Sequence, residues 1–400
     1  MRPTVGIICE YDPFHRGHAR QFALVRQQLP DARIVCVMSG CFTQRGSPAM
    51  FSPAFRARAA LMAGASMVLE LPCAFALREA ENFALGGVAV LDGLRFVTHI
   101  SFGCENADLP LLRAMAALLE APNAACQAAL RATLDGGAPF VAAQAKAVAA
   151  GLAADSAPDT GLPEAAILDA IKRPNNILAI CYLRALLRLQ SPVSPLPVLR
   201  EGDYHATVLA GQSYPSASAT RRAYLAGDLP AAEAAAGYPL AGAPCHRPDA
   251  LDALLLHTLR TQPPAALRAL PDCTEGLENR LAKAACKAVS RAELLARLKT
   301  KRYAYARLNR LLGHALLGVT GELFSQHPLP AYTRLLGFRQ DDRECLSLLN
   351  ESRLPIITKA ADGDRANPLL TLDARAYDLW ALGAGLPAGL LYRQPVQIVP

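Results

Sequence analysis

The sequence is poor in several features that would have assigned it at once. Its 11 cysteines include no Cys-x-x-Cys pair, which argues against a tetrahedral zinc site, and an odd, scattered set argues against a disulfide framework and fits a reducing cytoplasm. No uninterrupted apolar run reaches the ~18 residues of a membrane-spanning helix, and the apolar stretch at the N-terminus is too short for a signal peptide. Charge of one sign is in small excess: 41 basic against 34 acidic residues give +7 overall, so any case for nucleic acid needs a local cluster. Neither a G-x-x-x-x-G-K-[ST] loop nor a G-x-G-x-x-G fingerprint follows the first apolar run, which removes the two commonest phosphate-binding motifs.

What is present is globular. Hydrophobic residues make up 52% and charged ones 19%, and 400 residues exceed one ordinary core. Val5–Cys9, Ile34–Met38, Met67–Leu71 and Val97–Phe102 are continuous apolar runs of the kind buried on both faces of a parallel sheet. Gly17–Gln28, Pro53–Ala63 and Ala80–Leu91 between them are long enough for crossover helices. The βαβαβαβ pattern predicts an α/β fold with a doubly wound parallel sheet. Helices broken at Pro122–Asn123 and Asp135–Pro139 follow, then a helix near Asn175 and a strand after Pro192. The Ala-, Gly- and Pro-rich stretch 230–248 reads as a linker, dividing 1–229 from a mainly α-helical 249–400 that becomes less regular after Pro328.

The strongest local signal follows the first strand: Glu10-Tyr11-Asp12-Pro13-Phe14-His15-Arg16-Gly17-His18. Two histidines flank a glycine where a helix begins. A helix N-terminus offers N–H groups and a positive dipole end, glycine permits close approach, and imidazoles donate to phosphate oxygens. That suits a nucleoside triphosphate, whose transfer chemistry rests on positioning and charge stabilisation. A lone histidine there would be an ordinary cap or core residue; the paired spacing makes His15 and His18 the candidate catalytic residues.

With these residues the chain resembles the H-x-G-H nucleotidyltransferases and, within them, the tRNA(Met) cytidine acetate ligases. The closer likeness rests also on Met38-Ser39-Gly40-Cys41-Phe42-Thr43-Gln44-Arg45-Gly46, Leu69-Glu70-Leu71-Pro72, Phe102-Gly103-Cys104-Glu105, Arg173-Pro174-Asn175-Asn176-Ile177-Leu178 and the Arg302-Tyr303 to Arg310 segment. The resemblance implies a Rossmann-like sheet. It also implies an enzyme that uses ATP, with Mg2+ on the triphosphate, to join acetate to the wobble cytidine of elongator tRNA(Met) through acetyl-adenylate. No membrane or protein partner is implied. The ATP loop would comprise Ile8, Cys9, Glu10, Tyr11, Asp12, Pro13, Phe14, His15, Arg16, Gly17, His18, Ala19, Arg20 and Gln21. Gly103, Asn175, Asn176 and Arg200 would contact the nucleotide. The chain departs from the family at Asp12 and Cys41, where Asn is usual, and at Cys104, where Ser is usual. Asp12 adds negative charge near phosphate, which Arg16, Arg45 or a metal ion would have to balance.

Further candidates carry two readings each. Ser216, Ser218 and Arg221 resemble a second phosphate motif, and a serine there is also an ordinary N-cap. Gln44-Arg45-Gly46 could meet phosphate or acetate, or be a solvated loop; His205 could orient the nucleotide or be structural. In Lys299–Arg310, tyrosines alternate with cations, and Arg302, Arg307 and Arg310 could contact tRNA or form a solvated helix face. A small-metabolite adenylyltransferase and a non-catalytic RNA-binding module remain the alternative functions.

Overall fold

The computed structural model describes residues 2–105, 108–138, 140–155, 164–199, 215–300 and 303–400. Strands β1 (Thr4–Cys9), β2 (Arg33–Ser39), β3 (Met67–Leu71), β4 (His99–Cys104) and β5 (Ser194–Leu199) are parallel to their neighbours in the order β5-β4-β1-β2-β3. Every residue of β1 and β3 is buried, as their unbroken apolar runs require. Helices α1 (Arg16–Gln28), α2 (Pro53–Met62), the single turn α3 (Cys73–Ala76) and α4 (Ala80–Gly93) connect the first four strands. The chain runs outward from β1 through β2 to β3, then returns to lay β4 on the other side of β1. Beyond the carboxyl ends of β1 and β4 the order reverses, which is where open α/β sheets bind ligands.

Among the described residues, helices α5 (Leu109–Glu120), α6 (Ala124–Asp135), α7 (Phe140–Asp155), α8 (Glu164–Lys172) and α9 (Pro174–Arg188) lie between β4 and β5. They break at Pro122–Asn123 and after Asp135, as expected, Asn123 capping α6. After β5 come α10 (Ala217–Leu225) and α11 (Leu229–Ala236). A leucine-rich helical unit follows: α12 (Asp252–Thr261), α13 (Pro264–Arg268), α14 (Leu277–Lys287), α15 (Arg291–Leu298), α16 (Tyr305–Leu317). The chain ends with α17 (Gly321–Gln326), β6 (Thr333–Arg339), α18 (Cys345–Leu348), β7 (Ile356–Ile357), α19 (Pro368–Gly383), α20 (Leu390–Arg393) and β8 (Gln397–Val399). No helix among the described residues is long and apolar enough to cross a membrane.

Two expectations about organisation are corrected. Stretch 230–248 is not a free linker: Asp228 caps α11, Gly237 ends it at φ +86°, and Ala232, Ala236 and Leu240 pack on Met50 and Phe51. Its proline and glycine are helix punctuation, and its alanines allow close packing. Nor is 249–400 one helical domain. β6 pairs antiparallel with β3, and β7 and β8 pair with β6, so the last strands extend the N-terminal sheet. Thr333–Phe338 is too short an apolar run for periodicity to identify, and its place was decided by the open edge of β3.

Candidate active site

The β1–α1 turn is built from its own residues. His15, extended at φ −150°, caps α1: its Nδ1 accepts the Gly17 N–H at 3.0 Å, while His18 Nδ1 accepts the His15 N–H at 3.2 Å. The two rings stack with centroids 3.7 Å apart. A side chain at Gly17 would put its Cβ 2.9 Å from the His15 ring, so glycine is what lets the ring fold over the helix end. Tyr11 and Phe14 pack against His18 and hold its orientation, backed by Phe22 on their far side. Accepting through Nδ1 places the proton of each neutral ring on Nε2, a donor suited to phosphate oxygen.

Both histidines line a cleft of about 760 Å³ at the carboxyl ends of β1 and β4. Of the expected nucleotide residues, Ile8, Cys9, Glu10, Tyr11, Asp12, Gln21, Gly103 and Asn175 also line it, with Ser216, Ser218 and Arg221 at the start of α10. Others stand back. Pro13 and Phe14 are buried beneath the turn, and Arg16, Gly17, Ala19 and Arg20 lie outside the cleft lining. Asn176 is fully buried and is not among the cleft-lining residues: its Oδ1 accepts the Glu105 N–H at 3.0 Å and its own N–H donates to Glu105, which ties the segment after β4 to α9. Arg200, His205 and Arg302 lie outside the described residues.

The departures from the family pattern are accommodated locally. Asp12 Oδ1 accepts the Met50 N–H at 2.7 Å, and Arg221 donates to the Asp12 carbonyl and pairs with its Oδ2 at 3.5 Å. Its negative charge is therefore taken up by Arg221, not by Arg16. Cys41 is buried, and the Cys104 thiol, also buried, donates to Val198 O. Ser216 does cap α10, accepting the Ala219 N–H at 3.1 Å, while Arg221 reaches Ser218. Glu10 Oε1 accepts the Gln44 N–H at 2.5 Å, and burial raises its pKa.

Sequence reasoning missed the parts brought from a distance. Arg56, fully buried in α2, donates to the Glu10, Gly40 and Phe51 carbonyls, tying together the loops after β1 and β2. An arginine in an alanine-rich helix gives no sign of that role. The helical unit supplies Arg291 and Asn309 to the cleft wall: Arg291 Nη2 donates to Gly46 O and to Asn309 Oδ1, both at 3.0 Å. Gly46, at φ +89°, lies so close to α16 that a Cβ would be 2.3 Å from the Arg310 nitrogen. His246 closes the same side, buried against Gly383, and desolvation lowers its pKa to about 4.

The basic helix is only partly the surface the sequence suggested. Arg310 is buried and pairs with Asp272 at 3.7 Å, and Arg307 donates to Asp272 O and Thr274 Oγ1. Both fasten the loop before α14 to α16, since helix periodicity turns position 310 inward with Leu311 and His314. A second recess of about 730 Å³, between β6 and 346–358, holds none of the candidate residues.

The HIGH Nucleotidyl Transferase family matches residues 2–387. The chain is 33% identical over 385 residues to the tRNA(Met) cytidine acetate ligase of Clostridium perfringens, covering 94% of each. It is 32% identical over 374 residues to that of Geobacillus sp. (strain WCH70), covering 90% of this chain and 89% of the relative. Among solved structures, apo Thermotoga maritima TmcAL superposes with a TM-score of 0.90, and the same protein bound with alpha-thio ATP with 0.86; each is 26% identical and covers 99% of both chains.

Proposed function

From a chain that belongs to the HIGH nucleotidyl transferase family and, within it, to the tRNA(Met) cytidine acetate ligases, we propose an enzyme that uses ATP to acetylate the exocyclic amine of the wobble cytidine in elongator tRNA(Met). The observation that carries this reading is the His15/His18 turn facing a cleft at the sheet's reversal point, with the helical unit forming the opposite wall.

ATP lies across the ends of β1 and β4. His15 and His18 donate from Nε2 to the phosphates, and Ser216, Ser218 and Arg221 open a second helix toward them. Acetate oxygen attacks the α-phosphorus and pyrophosphate leaves, giving acetyl-adenylate. The cytidine amine then attacks the acetyl carbonyl, the bond to the AMP phosphate breaks, and the amine loses its proton. Because that nitrogen's lone pair is delocalised into the ring, it needs an activated acyl donor in a sheltered pocket. Among the described residues no group of three or more His, Cys, Asp or Glu side chains could hold a metal. Mg2+ would arrive with the triphosphate, with the Glu10 carboxylate in the cleft lining to serve it, and would neutralise phosphate charge. The enzyme works in the cytoplasm, where its substrates meet.

The test is incubation of purified protein with ATP, labelled acetate and total tRNA, followed by nucleoside analysis. Label in N4-acetylcytidine is the expected result, and chemically made acetyl-adenylate should replace ATP and acetate together. Acetylation from ATP and acetate without any transfer from supplied acetyl-adenylate would overturn the adenylate route.

A further inference from the structure

The wall that the helical unit contributes to the cleft ends in an exposed ledge. Arg291 and Asn309 meet in the cleft wall, and exposed apolar side chains precede them in the chain by two and four residues: Val289, 81% exposed, and Tyr305, 53% exposed. Tyr305 opens α16, and Asn309 lies four residues later on the same helix face, about 6 Å further along the axis. The ring that stands one turn outside the cleft is therefore directed by the same face that lines it.

The ring is also held in place. Lys299 Nζ donates to Thr300 O and Tyr303 O at 2.8 and 2.9 Å and lies 5.4 Å from the Tyr305 ring centroid. A cation fixed by two carbonyls supports the aromatic ring without relying on a mobile chain. The sequence around it is rich in cations: residues 280–310 contain ten lysines and arginines and one acid, Glu293, with Arg310 and Arg307 engaged by the segment at Asp272. Lys283 and Lys287 of α14 are exposed. An aromatic face set among cations selects a polyanion with flat rings, which is single-stranded nucleic acid.

We propose that Tyr305 is the stacking platform for the nucleotide next to the reacting cytidine. A base entering the cleft must leave its stack, and its neighbour then loses a partner. One helical turn is comparable to the separation of neighbouring nucleotides in an opened strand, so with the target base beside Asn309 the neighbour reaches Tyr305. Stacking there compensates for the broken stack and sets how deep the loop enters. This rests on the reading of the chain as a tRNA-acetylating enzyme.

The test compares wild type, Tyr305→Ala and Tyr305→Phe, with elongator tRNA(Met) affinity measured at several salt concentrations beside acetate-dependent ATP–pyrophosphate exchange. Tyr305 is exposed and outside the cleft, so exchange should be unchanged. Tyr305→Ala should weaken tRNA binding roughly 5- to 100-fold, with the log–log salt slope unchanged because no phosphate contact is lost, and Tyr305→Phe should restore affinity. Unaltered tRNA affinity in Tyr305→Ala overturns the platform while leaving the enzyme reading intact. A lowered salt slope overturns stacking in favour of a phosphate contact. A wild-type protein that neither binds nor acetylates tRNA removes the underlying reading instead.

Discussion

His15 and His18 fix each other: His18 Nδ1 accepts the His15 N–H at 3.2 Å, His15 Nδ1 accepts the Gly17 N–H at 3.0 Å, and the rings lie 3.7 Å apart. The pair proposed as catalytic is thus also the cap of α1, and the two roles can be separated. His15→Asn retains a capping side chain but loses the Nε2 donor. It should stay within about 1 kcal/mol of wild type in urea unfolding while acetate-dependent ATP–pyrophosphate exchange falls ~10²–10³-fold. His18→Ala should lower exchange to a similar degree. Near-normal exchange in both variants would show that these histidines only cap.

Gly46 joins the sheet's loop to the helical unit. Gly46→Ala would require a left-handed backbone at a non-glycine and a Cβ overlapping the Asn309 and Arg310 backbone. Strain of about 1–3 kcal/mol is expected from the dihedral alone, and the contact must open further. The Arg291–Gly46 hydrogen bond should fail, and tRNA acetylation should drop more than pyrophosphate exchange. An equal loss of both activities would argue that the loop serves ATP alone.

Arg310 belongs to the fold. Arg310→Gln leaves Asp272 without its buried partner and should cost on the order of 2 kcal/mol in unfolding free energy. The salt dependence of tRNA binding should not change. A slope lower by about one would mean that Arg310 contacts phosphate after all.

His246 makes the protein acid-sensitive. Burial depresses its pKa to about 4, below the ordinary value of 6.5, so the unfolded chain binds its proton first as the pH falls. Stability is complete above pH 6.5 and declines toward pH 4, by about 3 kcal/mol at most. The groups acting on the imidazole are Asp12 and Arg291, together with backbone at 246–247. In His246→Gln, the difference in urea midpoint between pH 7.5 and pH 5 should shrink; an identical difference would show that other groups cause the acid loss.

The sequence by itself determined what is local. Val5–Cys9 followed by the H-x-G-H turn carries its own instructions: an unbroken apolar run makes a buried strand, and histidine, glycine and helix N-terminus meet within a few residues. For the same reason β3 was legible to its ends, and so were the breaks that Asn123 and its neighbours impose. Tertiary packing decided the rest. Arg56 reads as a surface arginine until α2 docks over three loop carbonyls, and Arg310 reads as a phosphate contact until α16 turns it inward onto Asp272. Arg291, Asn309 and His246 reach the cleft only because the helical unit and the C-terminal helix α19 close around loop 40–50, with Trp380 donating to Ala49 O at 2.6 Å. A residue's chemistry is written in its side chain, but whether that side chain faces phosphate, carbonyl or water depends on contacts between segments far apart in the chain, and no local pattern encodes those.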